Sequence, residues 1–266
     1  MKNKVIIITG ASSGIGRALA LHLDRMGAKL ALAARNRERL AELASEMTSP
    51  DHLFLPTDVS IEKDCESLIR KTVDKFGRID VLINNAGISM RAIFGEVDLA
   101  VIRRLMDTNF WGTVYCTKFA LPYLLASKGS LVGVSSVAGY KGLPGRTGYS
   151  ASKFAMQGLL EVIRIENMKK GLHVLIACPG FTASNIRNIA LSKNGQPQGE
   201  TPLDESKLMP AEEVARRITC ALIKRKDRLT LTTLGRMTVL LNKFFPKLMD
   251  KMVYNHMAKE PDSPFK

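Results

Sequence analysis

The sequence predicts an α/β protein built on one doubly wound parallel sheet. Short apolar runs alternate with amphipathic helical patterns almost from the first residue, and no internal repeat or low-complexity segment interrupts them. Strands that are apolar throughout are buried on both faces, so helices must cover each side of a parallel sheet. Right-handed crossovers then give a doubly wound fold, in which ligands bind at the carboxyl ends of the strands.

Seven apolar runs are the predicted strands. In chain order they read KVIIITG, KLALAAR, HLFLPTD, DVLINNAG, SLVGVSS, LHVLIACPG and RLTLTTL. Residues 181–210 form one long irregular insertion between a strand and a helix, and a segment of this length is typical of a substrate lid. We therefore predict a single domain at residues 1–235, with the lid inside it, followed by an amphipathic C-terminal extension at residues 236–266.

The composition argues against several classes of protein. Of 266 residues, 45% are hydrophobic and 24% charged, as in soluble globular proteins, and no apolar run approaches a membrane span of about 18 residues. The four cysteines lie far apart without CxxC or histidine-clustered spacing, so we predict no metal site. Since the first residues run directly into a strand, we expect a cytoplasmic protein.

The net charge of +14 is unevenly distributed. Between Arg217 and Lys266 there are eleven Lys or Arg and four Asp or Glu, so half of the excess lies in the last fifth of the chain. Aromatic residues make up only 6%, and no basic stretch carries the interleaved aromatic residues of a single-strand binder. The charge therefore indicates a basic tail, and we expect no nucleic-acid partner.

Three glycines follow the first predicted strand and open the first predicted helix. Glycine allows a tight turn and a close approach to a pyrophosphate, which the N terminus of a helix attracts. The triplet alone could be only a tight turn, but its position between these two elements favours a nucleotide site. The predicted contacts are Gly10, Ser12, Ser13, Gly14, Ile15 and Gly16.

The end of the second strand predicts which dinucleotide binds. An acidic residue there would bond the ribose hydroxyls of NAD, whereas an arginine accommodates the 2′-phosphate of NADP. The sequence has Ala34 at the acidic position and Arg35 beside it, which favours NADP(H). The alternative is that Arg35 is a solvated strand end, with Arg37 and Arg39 merely exposed on the next helix.

The stretch GYSASKFAMQGLL places Tyr149 four residues before Lys153. In a helix the two side chains share one face, with Cβ atoms about 5–6 Å apart. A phenol has a pKa of about 10 and is a poor acid or base at neutral pH, and a nearby positive charge lowers that pKa. The pair is therefore a candidate for proton transfer.

Five motifs in order resemble the short-chain dehydrogenases/reductases. They are TGASSGIG at residues 9–16, NNAG at 84–87, the serine of VSS at Ser136, YSASK at 149–153 and PG at 179–180. The resemblance extends from Lys4 to about Gly180 and implies a Rossmann fold with a nicotinamide-dependent oxidoreductase activity.

The resemblance implies four catalytic residues and a set of cofactor contacts. The catalytic residues are Asn109, Ser136, Tyr149 and Lys153. The further cofactor contacts are Asp58 at the adenine, Val59 beside it, Asn85, Ala86 and Gly87 along the ribose, Tyr149, Lys153, Pro179, Gly180, and Thr182 or Ser184 at the nicotinamide. The family usually has threonine at the position of Ser184, so either hydroxyl is a candidate. Asn84 resembles a residue that ties neighbouring strands together.

These residues have chemically complementary roles in hydride transfer to or from a carbonyl carbon. Tyr149 would donate the proton in reduction and accept it in oxidation, and Lys153 would lower its pKa and bond the nicotinamide ribose. Ser136 would donate to the carbonyl oxygen, where negative charge develops. Asn109 would hold a water on the route from Lys153 to solvent.

The substrate prediction rests on three stretches. They are Ser89, Met90, Arg91 and Phe94 after NNAG, residues 139–147, and the lid from Phe181, which carries Ile186, Ile189, Ala190 and Leu191. We predict a medium-to-large hydrophobic ketone or alcohol, lipid-like or steroid-like. The alternatives are a 3-oxoacyl carrier-protein reductase and a non-catalytic NADP-binding sensor; the long lid disfavours the first and the retained proton-relay residues the second.

The C-terminal extension combines an apolar stripe with lysines. Residues 236–257 fit an amphipathic helix, kinked at Pro246, that lies in an anionic membrane interface. It resembles the C-terminal extensions of membrane-associated hydroxysteroid dehydrogenases, which implies peripheral membrane contact. The alternative is an oligomer contact, and the family resemblance also implies a homodimer or homotetramer.

Overall fold

The computed structural model describes residues 1–183, 186–199, 208–260 and 263–265. Within these residues, seven parallel strands form one sheet in the order β3-β2-β1-β4-β5-β6-β7. The strands are β1 Val5–Thr9, β2 Lys29–Ala34, β3 Leu53–Pro56, β4 Val81–Asn84, β5 Ser130–Val134, β6 His173–Cys178 and β7 Arg228–Thr230. Each predicted run contains one of them, so the predicted doubly wound α/β fold is confirmed.

Helices cover both faces of the sheet. In the described part of the chain they are α1 Gly14–Arg25, α2 Arg37–Ser45, α3 Glu62–Phe76, α4 Leu99–Met106, α5 Gly112–Ala126, α6 Thr147–Asn167, α7 Ala211–Ile223, α8 Thr233–Phe244 and α9 Pro246–Ala258. A π-helical turn at Asp107–Trp111 joins α4 to α5 without a break. Such turns are rare and often occur at functional sites.

Successive residues of β1 face opposite layers of the core. Ile6 and Ile8 pack in one cluster with Leu19 of α1, whereas Ile7 packs in the other with Leu160 of α6, and all are fully buried. Burial on both faces explains why the strands are continuously apolar. Since β1 pairs with both β2 and β4, the strand order reverses there and opens a crevice beyond the carboxyl ends of β1 and β4.

The C-terminal extension differs from the single kinked helix that the sequence predicts. Pro246 occupies the first turn of α9, where proline is favoured because its missing N–H would have no partner in the helix. The extension therefore forms two helices, α8 and α9. The predicted boundary at residue 235 falls inside α8, and no independent observation supports a division there.

Candidate active site

The glycine loop after β1 adopts a backbone that only glycine tolerates well. Gly10 has a φ of +66°, and a Cβ on it would lie 2.8 Å from the Cα of Ala86. A Cβ on Gly16 would lie 2.2 Å from the carbonyl oxygen of Gly10. Because Gly10 and Gly16 have no side chain, the loop and the start of α1 can approach the segment after β4 this closely.

The start of α1 is suited to an anion. Ser13 precedes the helix in an extended conformation, and its hydroxyl makes no capping hydrogen bond. The first N–H groups of a helix have no partner within it, and no side-chain cap replaces one here. Gly14 and Ile15 of this turn line the central cavity, so the N–H groups and the helix dipole fit a pyrophosphate.

Asn85 holds the glycine loop against β4. Its Nδ2 donates to the carbonyl oxygens of Thr9, at 2.9 Å, and Gly10, at 3.2 Å, and its backbone N–H donates to Thr9 Oγ1. Asn84, which we expected to tie neighbouring strands, donates instead to Thr117 of α5 at 2.9 Å. The side chain that joins β4 to the loop after β1 is therefore one residue later than predicted.

The strand ends beyond β2 and β3 provide polar groups for an adenosine moiety. Arg35, Asn36 and Arg39 line one end of the cavity, together with Asp58 and Val59. The carboxylate of Asp58 accepts from the backbone N–H of Ser60 at 3.0 Å and from its hydroxyl at 2.7 Å, which fixes its orientation. From the sequence, Arg39 could be merely exposed on the next helix. The structure adds it to the residues that line the cavity.

Ser136 lies in the cavity with Tyr149. The Ser136 hydroxyl accepts from the backbone N–H of Ala138 at 3.1 Å and lies close enough to the Tyr149 phenol to lower its pKa. Ser135 is buried, accepts from Gln157 Nε2 at 3.0 Å and contacts the carbonyl oxygen of Lys153 at 3.5 Å. Both serines line the cavity, but the Ser135 hydroxyl is already engaged by Gln157, and the catalytic role of Ser136 stays a prediction.

Burial dominates the proton affinities of Tyr149 and Lys153. It raises the pKa of Tyr149 above its usual value, and this increase is opposed by the Ser136 hydrogen bond and by the charge of Arg146. Burial also lowers the pKa of Lys153 to about 8. The sequence led us to expect that Lys153 lowers the pKa of Tyr149. In this structure Lys153 Nζ lies 5.8 Å from the ring centre and donates to the Val134 carbonyl oxygen at 2.9 Å.

Asn109 lies inside the π-helical turn and is fully buried. Its Oδ1 accepts from the Ile88 N–H at 2.8 Å, and its Nδ2 donates to the Ile88 carbonyl at 3.0 Å and to Ser152 Oγ at 2.9 Å. Ser152 in turn donates to the carbonyl of Tyr149 at 2.8 Å. The amide therefore braces the segment after β4 against α6, and a relay water held by this residue remains a prediction.

One continuous cavity of about 690 Å³ connects these groups. Among the residues predicted from sequence, it is lined by Gly10, Ser12, Ser13, Gly14, Ile15, Arg35, Asp58, Val59, Asn85, Ala86, Gly87, Ser136, Tyr149, Lys153, Pro179, Gly180 and Thr182. Gly16 and Asn109 do not line the cavity, but they contact the segments that do. Ser184 lies outside the described residues, and the Thr182 hydroxyl already contacts the Gly180 carbonyl at 3.3 Å.

The far end of the cavity has a wall that the sequence did not predict. Met249, Met252, Val253, His256 and Met257 line it from α9, opposite lid residues that include Phe181, Ile186 and Ile189. The rings of Phe181 and His256 are 6.2 Å apart. Of the expected pocket residues, Ser89 lines the cavity, Met90 is buried in the core beneath it, and Phe94 is 64% exposed outside it.

The described residues include no group of three or more His, Cys, Asp or Glu side chains placed to hold a metal ion. Within the same residues, none of the helices has both the length and the apolar character needed to cross a bilayer.

A doubly wound sheet, an anion-binding glycine loop and a partly buried tyrosine in the same crevice define a nucleotide-dependent oxidoreductase. The family model for short chain dehydrogenases matches residues 4–194, and the chain belongs to that family. It acts on alcohol or carbonyl groups as an oxidoreductase.

Known relatives agree with this assignment. The chain is 41% identical over 263 residues to 11-beta-hydroxysteroid dehydrogenase A of Arachis hypogaea, covering 93% of this chain and 73% of the relative. An alcohol dehydrogenase of the archaeon Thermococcus sibiricus, complexed with 5-hydroxy-NADP, has a TM-score of 0.76 and 28% identity, covering 86% and 96% of the two chains. A short chain dehydrogenase/reductase of Burkholderia phymatum in complex with NAD has a TM-score of 0.82 and 25% identity, covering 93% and 95%.

Proposed function

We propose that the protein is an NADP-dependent oxidoreductase that interconverts a hydrophobic carbonyl compound and its alcohol, with Tyr149 as general acid and base. The observation that carries this proposal is that Tyr149 and Ser136 line the same cavity as the glycine loop. A sensor that only binds nucleotide would need no such pair at the cavity wall.

The chain's own residues provide the proton and the charge stabilisation. When bound, the nicotinamide dinucleotide supplies or accepts the hydride. In reduction, Ser136 donates a hydrogen bond to the carbonyl oxygen and Tyr149 transfers its proton to that oxygen. The raised pKa of Tyr149 keeps the phenol protonated at neutral pH, which is the state that reduction requires. Lys153, whose ammonium donates to the Val134 carbonyl, would bond the ribose and return a proton toward Tyr149.

Arg35 and Arg39 support a preference for NADP(H). Both line the cavity where an adenosine ribose would lie, and β2 ends in Ala34 without an acidic side chain. Two cations at this point favour a 2′-phosphate and make no comparable contact with a hydroxyl. One of the solved relatives contains an NADP derivative and the other NAD, so the preference rests on these residues of the chain itself.

Replacing Arg35 with Asp is expected to raise the KM for NADPH about 10- to 100-fold and to change the KM for NADH much less, because only the phosphate loses an ionic partner. Initial rates with both cofactors measure this. Arg37→Asp is the matched control, because Arg37 is exposed two residues later, at the start of α2, and does not line the cavity. Equal effects of the two substitutions would contradict the NADP assignment.

The substrate end of the cavity favours an apolar molecule. Met249 and Met257 are almost fully buried there, and Ile186, Ile189 and Leu234 add further apolar surface. The hydroxysteroid dehydrogenase name of the peanut relative is consistent with such a substrate. A panel of aliphatic, acyl-thioester and steroid ketones with NADPH tests this, and activity confined to small polar sugars would refute it.

Two outer surfaces support the proposed partners. Trp111 at the end of the π-helical turn, Tyr123 on α5, and Phe154 and Ile165 on α6 are exposed, and a second copy of the chain would cover them. Analytical ultracentrifugation tests this, and a monomer at micromolar concentration would rule it out.

The outer face of α8 and α9 supports peripheral contact with an anionic membrane. It exposes Leu240, Phe244, Phe245 and Leu248 beside Lys243 and Lys247. In a flotation assay with anionic liposomes we expect the protein to rise with the vesicles, and Leu240→Ser combined with Phe244→Ser to reduce this. Equal flotation of the two proteins would remove the membrane proposal.

A further inference from the structure

Glu260 follows α9 and lies between two arginines. Its Oε2 is 3.5 Å from Arg91 Nε, and its Oε1 is 3.4 Å from Arg146 Nη2. The side chains of Arg91, Arg146 and Glu260 are 12%, 9% and 5% exposed. Three charged side chains that are this deeply buried are stable only when they are mutually paired, and removing one partner lowers the stability of the fold.

The two arginines belong to segments that shape the active site. The backbone N–H of Arg91 donates to the Leu191 carbonyl at 2.8 Å, so Arg91 lies where the segment after β4 meets the 181–199 segment. Arg146 lines the cavity directly before α6, one turn ahead of Tyr149. Glu260 therefore joins the C-terminal end of the chain to both sides of the substrate cavity.

Other contacts hold the same C-terminal region in place. Lys141, whose side chain is 10% exposed, forms an ion pair with Asp250 of α9. Beyond Glu260, Pro264 and Phe265 pack against the backbone at Gly145, because a Cβ there would lie 3.5 Å and 3.7 Å from them. In this arrangement α9 closes the cavity, with Met249 and Met257 turned into it.

We propose that Glu260 is a positioning residue with two linked effects: it clamps α9 in place as the substrate wall, and it neutralises the positive charge of Arg146 beside Tyr149. Helix α9 is then part of the active-site cavity wall. This role deepens the proposed function at Tyr149, but both measurements that test it are made without substrate.

Several charged or titratable groups act on Tyr149 or line its cavity. Among the described residues that contact Arg146, the acidic residue is Glu260. The other groups are Arg146 before α6, Lys153 on α6, Cys178 at the end of β6, Arg187 in the lid, and His256 and Lys259 from the C-terminal region. The charge of Arg146 favours the phenolate of Tyr149, so it lowers the pKa of Tyr149. Glu260, 3.4 Å from Arg146, would offset this effect by compensating the positive charge.

The first test measures amide hydrogen exchange of α9 in the full chain. Glu260→Gln removes the negative charge at nearly constant size, and exchange across residues 246–258 is expected to accelerate about tenfold, which corresponds to about 1.4 kcal/mol. Glu66→Gln, at an exposed position on α3, is the matched control. Exchange in α9 that is the same for both variants would overturn the proposal.

The second test titrates Tyr149 directly. The tyrosinate absorbance of the protein is compared with that of the same protein carrying Tyr149→Phe, so that the difference reports Tyr149 alone. In the Glu260→Gln background the midpoint is expected to fall by about half a unit to one unit, because Arg146 is no longer neutralised. Loosening of α9 alone would also hydrate Tyr149 and lower its pKa, because burial raises that pKa. The charge effect is therefore the fall that exceeds the one in Arg91→Gln, which loosens α9 but keeps Glu260 beside Arg146, and an unchanged midpoint in Glu260→Gln would also overturn the proposal.

A second variant covers the case in which Glu260→Gln does not fold. Arg91→Gln removes half of the clamp and leaves Glu260 paired with Arg146. Exchange in α9 is expected to rise, and the midpoint of Tyr149 is expected to fall less than in Glu260→Gln, because Glu260 still neutralises Arg146. Unchanged exchange would overturn the clamp. Absent turnover with all ketones, combined with these expected results, would refute the proposed function and leave the clamp intact.

Discussion

Tyr149→Phe is expected to lower kcat for carbonyl reduction by about 10³-fold, while the affinity for NADPH changes less than about twofold. General acid catalysis contributes about 10² to 10⁴-fold, and this substitution removes only the hydroxyl that carries the proton. Ser136 keeps its hydrogen bond to the Ala138 N–H, so it remains in position. Steady-state rates with a ketone from the panel measure kcat, and fluorescence titration measures NADPH binding.

Tyr140→Phe is the matched control for this prediction. Tyr140 is also a partly buried tyrosine near the end of β5, but its hydroxyl accepts from Arg228 Nη1 at 3.0 Å and it does not line the cavity. Removing the Tyr140 hydroxyl should change kcat by less than about threefold relative to the parent protein. If Tyr149→Phe retained the activity of the parent protein, the proton would have another source and the proposed mechanism would be wrong.

The sequence was sufficient for the sheet, because strand identity depends on local pattern. Ile6, Ile7 and Ile8 are buried on alternate faces of β1, and a continuous apolar run is the direct record of that burial. The glycine loop was predictable for a related reason. Gly10 and Gly16 occur where a Cβ would collide with the backbone, so the residue type itself carries the structural constraint.

Contacts between distant segments produce no comparable pattern in the local sequence. The roles of Asn84 and Asn85 depend on which side of β4 each amide faces, and this is decided by packing against Thr117 and the Thr9 loop. Glu260 and Arg146 are separated by 114 residues, and neither has a local pattern that distinguishes it from a surface charge. Their pairing is visible only once α9 is folded over the cavity.

The amphipathic stripe at residues 236–257 leaves its partner undetermined for a similar reason. An apolar face indicates that something covers it, but does not identify the partner. The sequence interpretation considered a membrane or another subunit. In the structure Met249 and Met257 face the cavity of the same chain, whereas Leu240, Phe244 and Leu248 remain exposed. One stripe therefore divides between two surfaces.

Lys153→Met is expected to reduce kcat about 10²-fold or more and to remove one component of the pH dependence of stability. Lys153 is 3% exposed, and burial lowers its pKa to about 8, whereas an unfolded lysine has a pKa of about 10.4. Between these values the unfolded state binds more protons than the folded state, so this residue makes the free energy of unfolding rise with pH. The cost of burying the charge is present below about pH 8 and disappears above about pH 10.4, a change on the order of 3 kcal/mol.

Other buried groups require that this effect be measured as a difference between proteins. Burial raises the pKa of Cys178 to about 12 and also raises that of Tyr149, so both make the free energy of unfolding fall with rising pH in an overlapping window. Subtracting the Lys153→Met curve from that of the parent protein removes the part of these contributions that the two proteins share, and the loss of the bond to the Val134 carbonyl remains as a pH-independent offset. The charge of Lys153 also lowers the pKa of Cys178, so the difference includes this coupling between the two groups. Urea unfolding from pH 7 to 10.5 should give a rising difference, and Lys118→Met, at an exposed position on α5, should give a flat one. A flat difference for Lys153→Met would mean that the ammonium is not destabilised by burial. The ready return of a proton from Lys153 toward Tyr149 near neutral pH would then lose its physical basis.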